Sequence, residues 1–345
     1  MALVNDPNFS FPAIRGIQSG REFYTIMCPL KYVPKLFSFN EEVIDPQLRA
    51  QRTLNKARIP EIKKYILNKD YVFSALTASI DGEIKFEPVD KENFRIGTLH
   101  IPLDSKLLIN DGQHRRAAIQ EALKEDPNLG YETISIVIFP DRGLKHSQQM
   151  FCDLNKFAVK PSQSLSILYN KRDDFSQFII SILKEITVFN NKTEMEKTSI
   201  SNRSNKIFTL NIISTATKNF LGKSGNHITI SSEEKKLVIK YWKVVAENMV
   251  PWQEIIKGEK TPFEIREESI CTHGIILQPL GIVGNQLIKN KNWEESLKKL
   301  SKMDWNRTNK EFQGNAIING RLSKTATSIK LTSELIAKKL GVELK

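Results

Sequence analysis

The 345-residue sequence is poor in cysteine: Cys28, Cys152 and Cys271 are odd in number and far apart. That excludes a disulfide framework and the paired short spacing of a zinc site, and it makes the reducing cytoplasm the simple expectation. No apolar run approaches the ~18 residues of a membrane span, so no membrane partner is expected. Residues 1–10 lack the basic start and apolar block of a secretory leader. A P-loop, a His-Glu-x-x-His pair, clustered nuclease carboxylates and a helix-turn-helix pattern are all missing. There is neither an internal repeat nor a low-complexity linker.

What is there fits a globular protein. The composition is 40% hydrophobic and 26% charged, and the length suits two domains of roughly 150 residues each. The net charge of +12 is unevenly placed: +2 over residues 1–170 and +10 over residues 171–345. A basic excess confined to one half is what a polyanion-binding surface needs. A solvated lysine-rich face is the plain alternative.

Local patterns predict an α/β first half and a mainly helical second half. Residues 23–28 read as a strand, and Asp45-Pro46 as a helix start. Ile59, Ile62 and Ile66 fall at helical spacing. Residues 71–80 are β-rich, and beyond Asp81-Gly82 residues 83–86 suit a returning hairpin partner. Residues 106–109 read as a strand, 113–124 as a helix, 133–139 as a strand buried on both faces, and 144–155 as a helix. In the second half Ser231 and Glu234 form a capping box, followed by a stripe of Val238, Tyr241, Trp242, Val245 and Met249. A final helix stops at Gly341. These patterns divide the chain into residues 1–170 and 171–345.

The chemistry concentrates in Asp111-Gly112-Gln113-His114-Arg115-Arg116, a strand, a tight turn and a helix start. Gly112 permits a sharp turn. A first helical turn offers free N–H groups and the positive end of the dipole, which suit a phosphate. Arg115 can grip such a group with two parallel hydrogen bonds. Asp111 can cap the helix, orient His114 or hold a metal ion. Each residue also has an ordinary structural reading: a cap, a turn, a core histidine, and arginines that are solvated or paired.

Asp111 to Arg115 is also the signature of DGQHR-domain proteins. Arg58-Ile59-Pro60-Glu61-Ile62, Phe151-Cys152-Asp153-Leu154-Asn155, Asp304-Trp305-Asn306-Arg307, Gly320-Arg321-Leu322-Ser323-Lys324 and Leu340-Gly341-Val342-Glu343-Leu344 extend the match. Together they resemble the DndB family of DNA sulfur-modification proteins. The resemblance implies a ParB/sulfiredoxin-like N-terminal module and a role in phosphorothioation, where sulfur replaces a non-bridging phosphate oxygen. It further implies binding to the promoter of the modification operon as a repressor. In ParB and sulfiredoxin proteins the matching turn binds nucleotide phosphates, the place held here by His114 and Arg115. Gln113 stands where sulfiredoxins carry their reactive cysteine, so that redox chemistry is not expected. Asn155 matches an asparagine that helps ParB proteins place nucleotide and metal.

Other candidates are less distinctive. Cys28 is either a reactive thiol or a buried small hydrophobe. His146 is a helper near Asn155 or a loop histidine. Arg203, Lys206, Lys218 and Lys223 flank an apolar helix over 208–221 and suit DNA phosphates or solvent equally. Arg307, Lys310, Arg321 and Lys324 lie in a Gly/Asn-rich loop near Trp305, which suits phosphate contacts better than base reading. The expected function is a non-enzymatic DNA-binding accessory of sulfur modification, probed against two rivals. One is a nucleotide-dependent switch or weak ATPase or CTPase using Mg2+ at the 111–116 turn. The other is an interaction subunit of the sulfur-transfer proteins. No dedicated metal site and no firm cofactor are expected.

Overall fold

A computed structural model describes residues 8–37, 54–140, 143–156, 160–225 and 228–344. The chain is mixed α/β and divides into two compact units, residues 1–159 and 160–345. The Asp45-Pro46 helix start lies outside the described residues.

The first unit carries a seven-stranded sheet of β1 (Asn8–Gln18), β2 (Arg21–Pro29), β3 (Leu76–Asp81), β4 (Lys85–Pro88), β5 (Ile96–Pro102), β6 (Lys106–Asp111) and β7 (Thr133–Pro140). The strand order is β4-β5-β1-β2-β7-β3-β6. All neighbours are antiparallel except β3 and β7. Four helices accompany it among the described residues: α1 (Val33–Leu36), α2 (Ile59–Leu67), α3 (Gln113–Glu125) and α4 (Leu144–Lys156). Ala118, Ile119 and Ala122 of α3 pack with Leu76, Ala78, Ile136 and Ile138 of the strands in one core. Alanines bring the helix close to the sheet, because they add little bulk between the two backbones.

Two strand expectations change. β4 pairs with β5, not with β3, so Asp81-Gly82 is not the turn of a β3–β4 hairpin. β3 instead lies between β7 and β6, where both its edges are hydrogen-bonded. β7 is not buried on both faces. Ile134, Ile136 and Ile138 are buried, while Ser135, Val137 and Phe139 are half-buried, so the strand alternates. Local composition did not reveal this, because β-branched residues suit either face of a pleated sheet.

The second unit is built from α5 (Gln163–Tyr169), α6 (Asp174–Glu185), α7 (Leu210–Leu221), α8 (Ser232–Asn248), α9 (Val250–Lys257), α10 (Pro262–Glu268), α11 (Gly274–Leu287), α12 (Trp293–Leu297) and α13 (Ala326–Leu340). Short strands β8 (Thr193–Glu194) and β9 (Phe208–Thr209) pair parallel, while β10 (Ile317–Ile318) and β11 (Arg321–Leu322) pair antiparallel. α7 and α11 pack so closely that a Cβ on Gly281 would lie 2.1 Å from the Ala216 carbonyl oxygen. Around them Phe220 stacks on Tyr241 at 4.3 Å, and Trp242 and Trp252 are fully buried. The Ser231–Glu234 capping box forms, with both reciprocal hydrogen bonds. The expected Gly/Asn-rich loop contains a hairpin: Asn319 and Gly320 take φ of 50° and 73° between β10 and β11. Asn-Gly favours this two-residue turn because both positions need positive φ.

Candidate functional site

The 111–116 turn sits where β6 ends and α3 begins. Gly112 caps the helix with φ +104°, and a Cβ there would meet Leu76 Cδ2 at 2.3 Å. Only glycine fits both the backbone and the space. No side chain caps the helix. Asp111 instead accepts from Arg115 Nη2 at 2.6 Å. Arg115 Nη1 donates to the carbonyl oxygens of Ser74 and Ala75 and to Ser74 Oγ. The guanidinium is thus spent on the segment entering β3, and its side chain is only 15% exposed. Of the two readings offered for Arg115, phosphate-gripping or paired, this geometry is that of a paired guanidinium whose fork meets backbone carbonyls.

The neighbouring side chains also turn inward. His114 is 8% exposed, and its Nε2 accepts from the Asn55 amide at 3.1 Å. Arg116 Nη2 donates to the Phe37 carbonyl at 2.7 Å, and burial lowers its pKa. Gln113 differs. Both its amide atoms are buried without a hydrogen-bond partner, at the uncapped start of α3. Beneath the turn the register slips between Thr77 and Ala78, so Asn110 bulges from β6. Asn110 Oδ1 accepts from Ser79 Oγ at 2.7 Å, and its Nδ2 donates to the Ser147 carbonyl at 3.3 Å. This buried polar trio fixes the bend and ties it to α4. The sequence did not signal it, since Ser79 and Ser147 have no shared pattern.

Other first-unit candidates lie apart from the turn's hydrogen bonds. Asn155 donates back to the Phe151 carbonyl at 2.8 Å on the exposed side of α4. His146 is exposed on the same helix. Cys28 is fully buried in β2, and burial pushes its thiol up to about 12. A thiol that remains protonated is a poor nucleophile, and this burial is what the core-hydrophobe reading of Cys28 requires. Among the described residues no cluster of His, Cys, Asp or Glu is placed to hold a metal ion.

In the second unit the basic residues separate by environment. Lys218 Nζ donates to the Gly225 carbonyl and lies over the Phe175 ring. Lys223 pairs with Glu234 at 2.6 Å. These two lysines, with Asn219, Ser224, Asn285 and Gln286, line a cavity of about 230 Å³. Lys206 donates to the Asn191 carbonyl at 3.1 Å. Arg203, Lys310, Arg321 and Lys324 are exposed, and none of the four forms a salt bridge among the described residues. Arg307 Nη2 lies 2.9 Å from His273 Nε2.

Two residues escaped sequence reasoning. Arg266 is 5% exposed and donates to the carbonyl oxygens of Ser201, Asn202, Ser204 and Lys206. It therefore shapes the loop that carries Arg203. His273 caps α11 through its backbone, and its pKa falls to about 4, mainly by burial and then by the charges of Arg307 and Arg266. Neither residue stands in a recognisable motif. Arg266 is the one basic residue of an otherwise acidic short helix, which reads as an ordinary surface.

The arrangement offers two backbone-rich corners: the uncapped start of α3, and the arginine-lined start of α11. No curated protein and no solved structure matches the chain. A family model does, over residues 11–343, nearly the whole length. The chain belongs to the DndB family of DNA-sulfur modification-associated proteins.

Proposed function

We propose that this DndB-family chain is a cytoplasmic DNA-binding accessory of the sulfur-modification system that represses the modification operon at its promoter. The observation that carries the reading is uncompensated charge. The half with a net charge of +10 exposes Arg203, Arg321 and Lys324 without carboxylate partners among the described residues. Such cations release counterions when they meet phosphates, and that release drives nucleic-acid binding. In this reading the first unit is a ParB-like module, and the Asp111–Arg115 turn braces it rather than gripping DNA.

Fluorescence anisotropy with promoter and scrambled duplexes across a salt series tests the proposal. The expected result is a linear fall of log affinity with log salt, with the promoter preferred by at least about tenfold. Equal affinity for both duplexes would remove the repressor role.

A second reading rests on Gln113. Its unpartnered amide and the uncapped α3 suit a nucleotide, whose binding would protect the native state from thermal unfolding. Unchanged melting with ATP or CTP and Mg2+ sinks that reading.

A further inference from the structure

The start of α11 gathers positive charge: Arg266 and Arg307 flank His273, and Lys324 reaches Gly274. The segment before it is stapled to the 304–309 loop: Ile270 N–H donates to the Trp305 carbonyl, Ser269 Oγ donates to the same oxygen, and Arg307 N–H donates to the Glu268 carbonyl. These bonds hold Arg307 against His273. His273 Nε2 accepts from Arg307, and the ring also hydrogen-bonds the Arg266 backbone, so the imidazole is neutral and fixed between two arginines. Neither arginine has a salt-bridge partner among the described residues. Arg266 is satisfied by loop carbonyls, but Arg307 is not. Its Nε is buried without a hydrogen-bond partner among the described residues.

Three further observations converge on the same corner. α11 is 14 residues long, and no side chain caps its start. The stem of Lys324 lies across that start: a Cβ on Gly274 would sit 3.3 Å from Lys324 Cδ. Lys324 is exposed and makes no ion pair among the described residues. Thr272, 3% exposed and next to the capping His273, holds its Oγ1 with no hydrogen-bond partner. Buried polar atoms without protein partners are rare, and each calls for a partner such as water or an ion. Helix N–H groups, a planar guanidinium and a mobile ammonium together match a tetrahedral oxyanion.

We propose that the start of α11, with Arg307 and Lys324, is a binding site for a single phosphate-type oxyanion, with Arg266 and His273 holding Arg307 in place. The ligand's source is either a diester of the DNA backbone or a free phosphate group. The first case deepens, and rests on, the DNA-binding reading above; the second does not need it.

The test uses the full chain, with sodium orthophosphate as the probe and chloride at matched ionic strength as the control. Wild-type protein is expected to show saturable, phosphate-specific heat in calorimetry and a raised melting temperature. Arg307→Gln and Lys324→Gln are expected to weaken phosphate binding by roughly tenfold or more, with Arg307→Lys intermediate. Each variant is first checked for wild-type circular dichroism and melting without phosphate. If Arg307→Gln fails that check, the exposed Lys324→Gln carries the test. A duplex arm then assigns the source. Parallel loss of DNA affinity identifies a backbone diester, whereas retained DNA affinity identifies a free phosphate group. Wild-type protein that binds no DNA sinks the DNA-binding reading but leaves this site standing if phosphate still binds. The site itself is overturned if wild-type protein shows no phosphate-specific binding, or if folded variants bind phosphate as wild type does.

Discussion

Asp111 Oδ2 lies 2.6 Å from Arg115 Nη2, a contact from the end of a strand to the first turn of the following helix. The same guanidinium reaches the Ser74 and Ala75 carbonyls at the approach to β3. The most conspicuous motif of the sequence is therefore a brace, joining two neighbouring strands and a helix through one arginine.

Arg115→Ala is expected to destabilise the protein by about 2–3 kcal/mol in urea unfolding, because carbonyls near β3 lose a charged donor. The Asp111 pair adds little, since that carboxylate is half exposed. Arg115→Lys is expected to recover only part, as one ammonium cannot follow the planar fork. A loss below about 0.5 kcal/mol would show that the guanidinium is not a brace.

Gly112→Ala is expected to cost at least about 2 kcal/mol. The residue would be forced to φ +104° and its methyl driven to within 2.3 Å of Leu76 Cδ2. Wild-type thermal stability in this variant would contradict the turn geometry.

Thiol labelling should be selective. Cys152 is exposed, whereas Cys28 and Cys271 are buried with thiols pushed up to about 12. Native protein treated with a chromogenic disulfide at mild alkaline pH is expected to react quickly at Cys152 alone, and at all three thiols after denaturation. Fast native labelling of Cys28, mapped by mass spectrometry, would revive it as a reactive group.

Acid should weaken the fold through His273. Its pKa is lowered from 6.5 to about 4, so below pH 6.5 the unfolded chain takes up a proton that the folded chain refuses. The stability from this residue is complete above that range and falls as pH drops toward 4, by up to about 3 kcal/mol. His273→Gln is expected to flatten the slope of unfolding free energy against pH in this window. An unchanged slope would place the acid sensitivity elsewhere.

Several elements were legible because their signals are local. The Ser231–Glu234 box and the Gly341 stop each satisfy helix-end groups within a few residues, so their spacing suffices. The turn at Gly112 was legible for the same reason. The pairing of β4 with β5 was not, because hairpin chemistry at Asp81-Gly82 cannot report which distant strand offers the better edge. The Asn319-Gly320 hairpin reads as a plain loop in the sequence, because its strands are only two residues long.

The sequence by itself determined the mixed α/β composition, the basic second half, the strand–turn–helix at 111–116 and membership of the DndB family. All of these depend on residue order and short spacing. Only the tertiary structure decided what the arginines do. Arg115 meets carbonyls about 40 residues earlier in the chain, and Arg266 meets carbonyls about 60 residues away. Arg307 meets His273 instead of a carboxylate. A guanidinium's role is set by which acceptors folding brings within 3 Å or so of it, and no local pattern encodes that meeting.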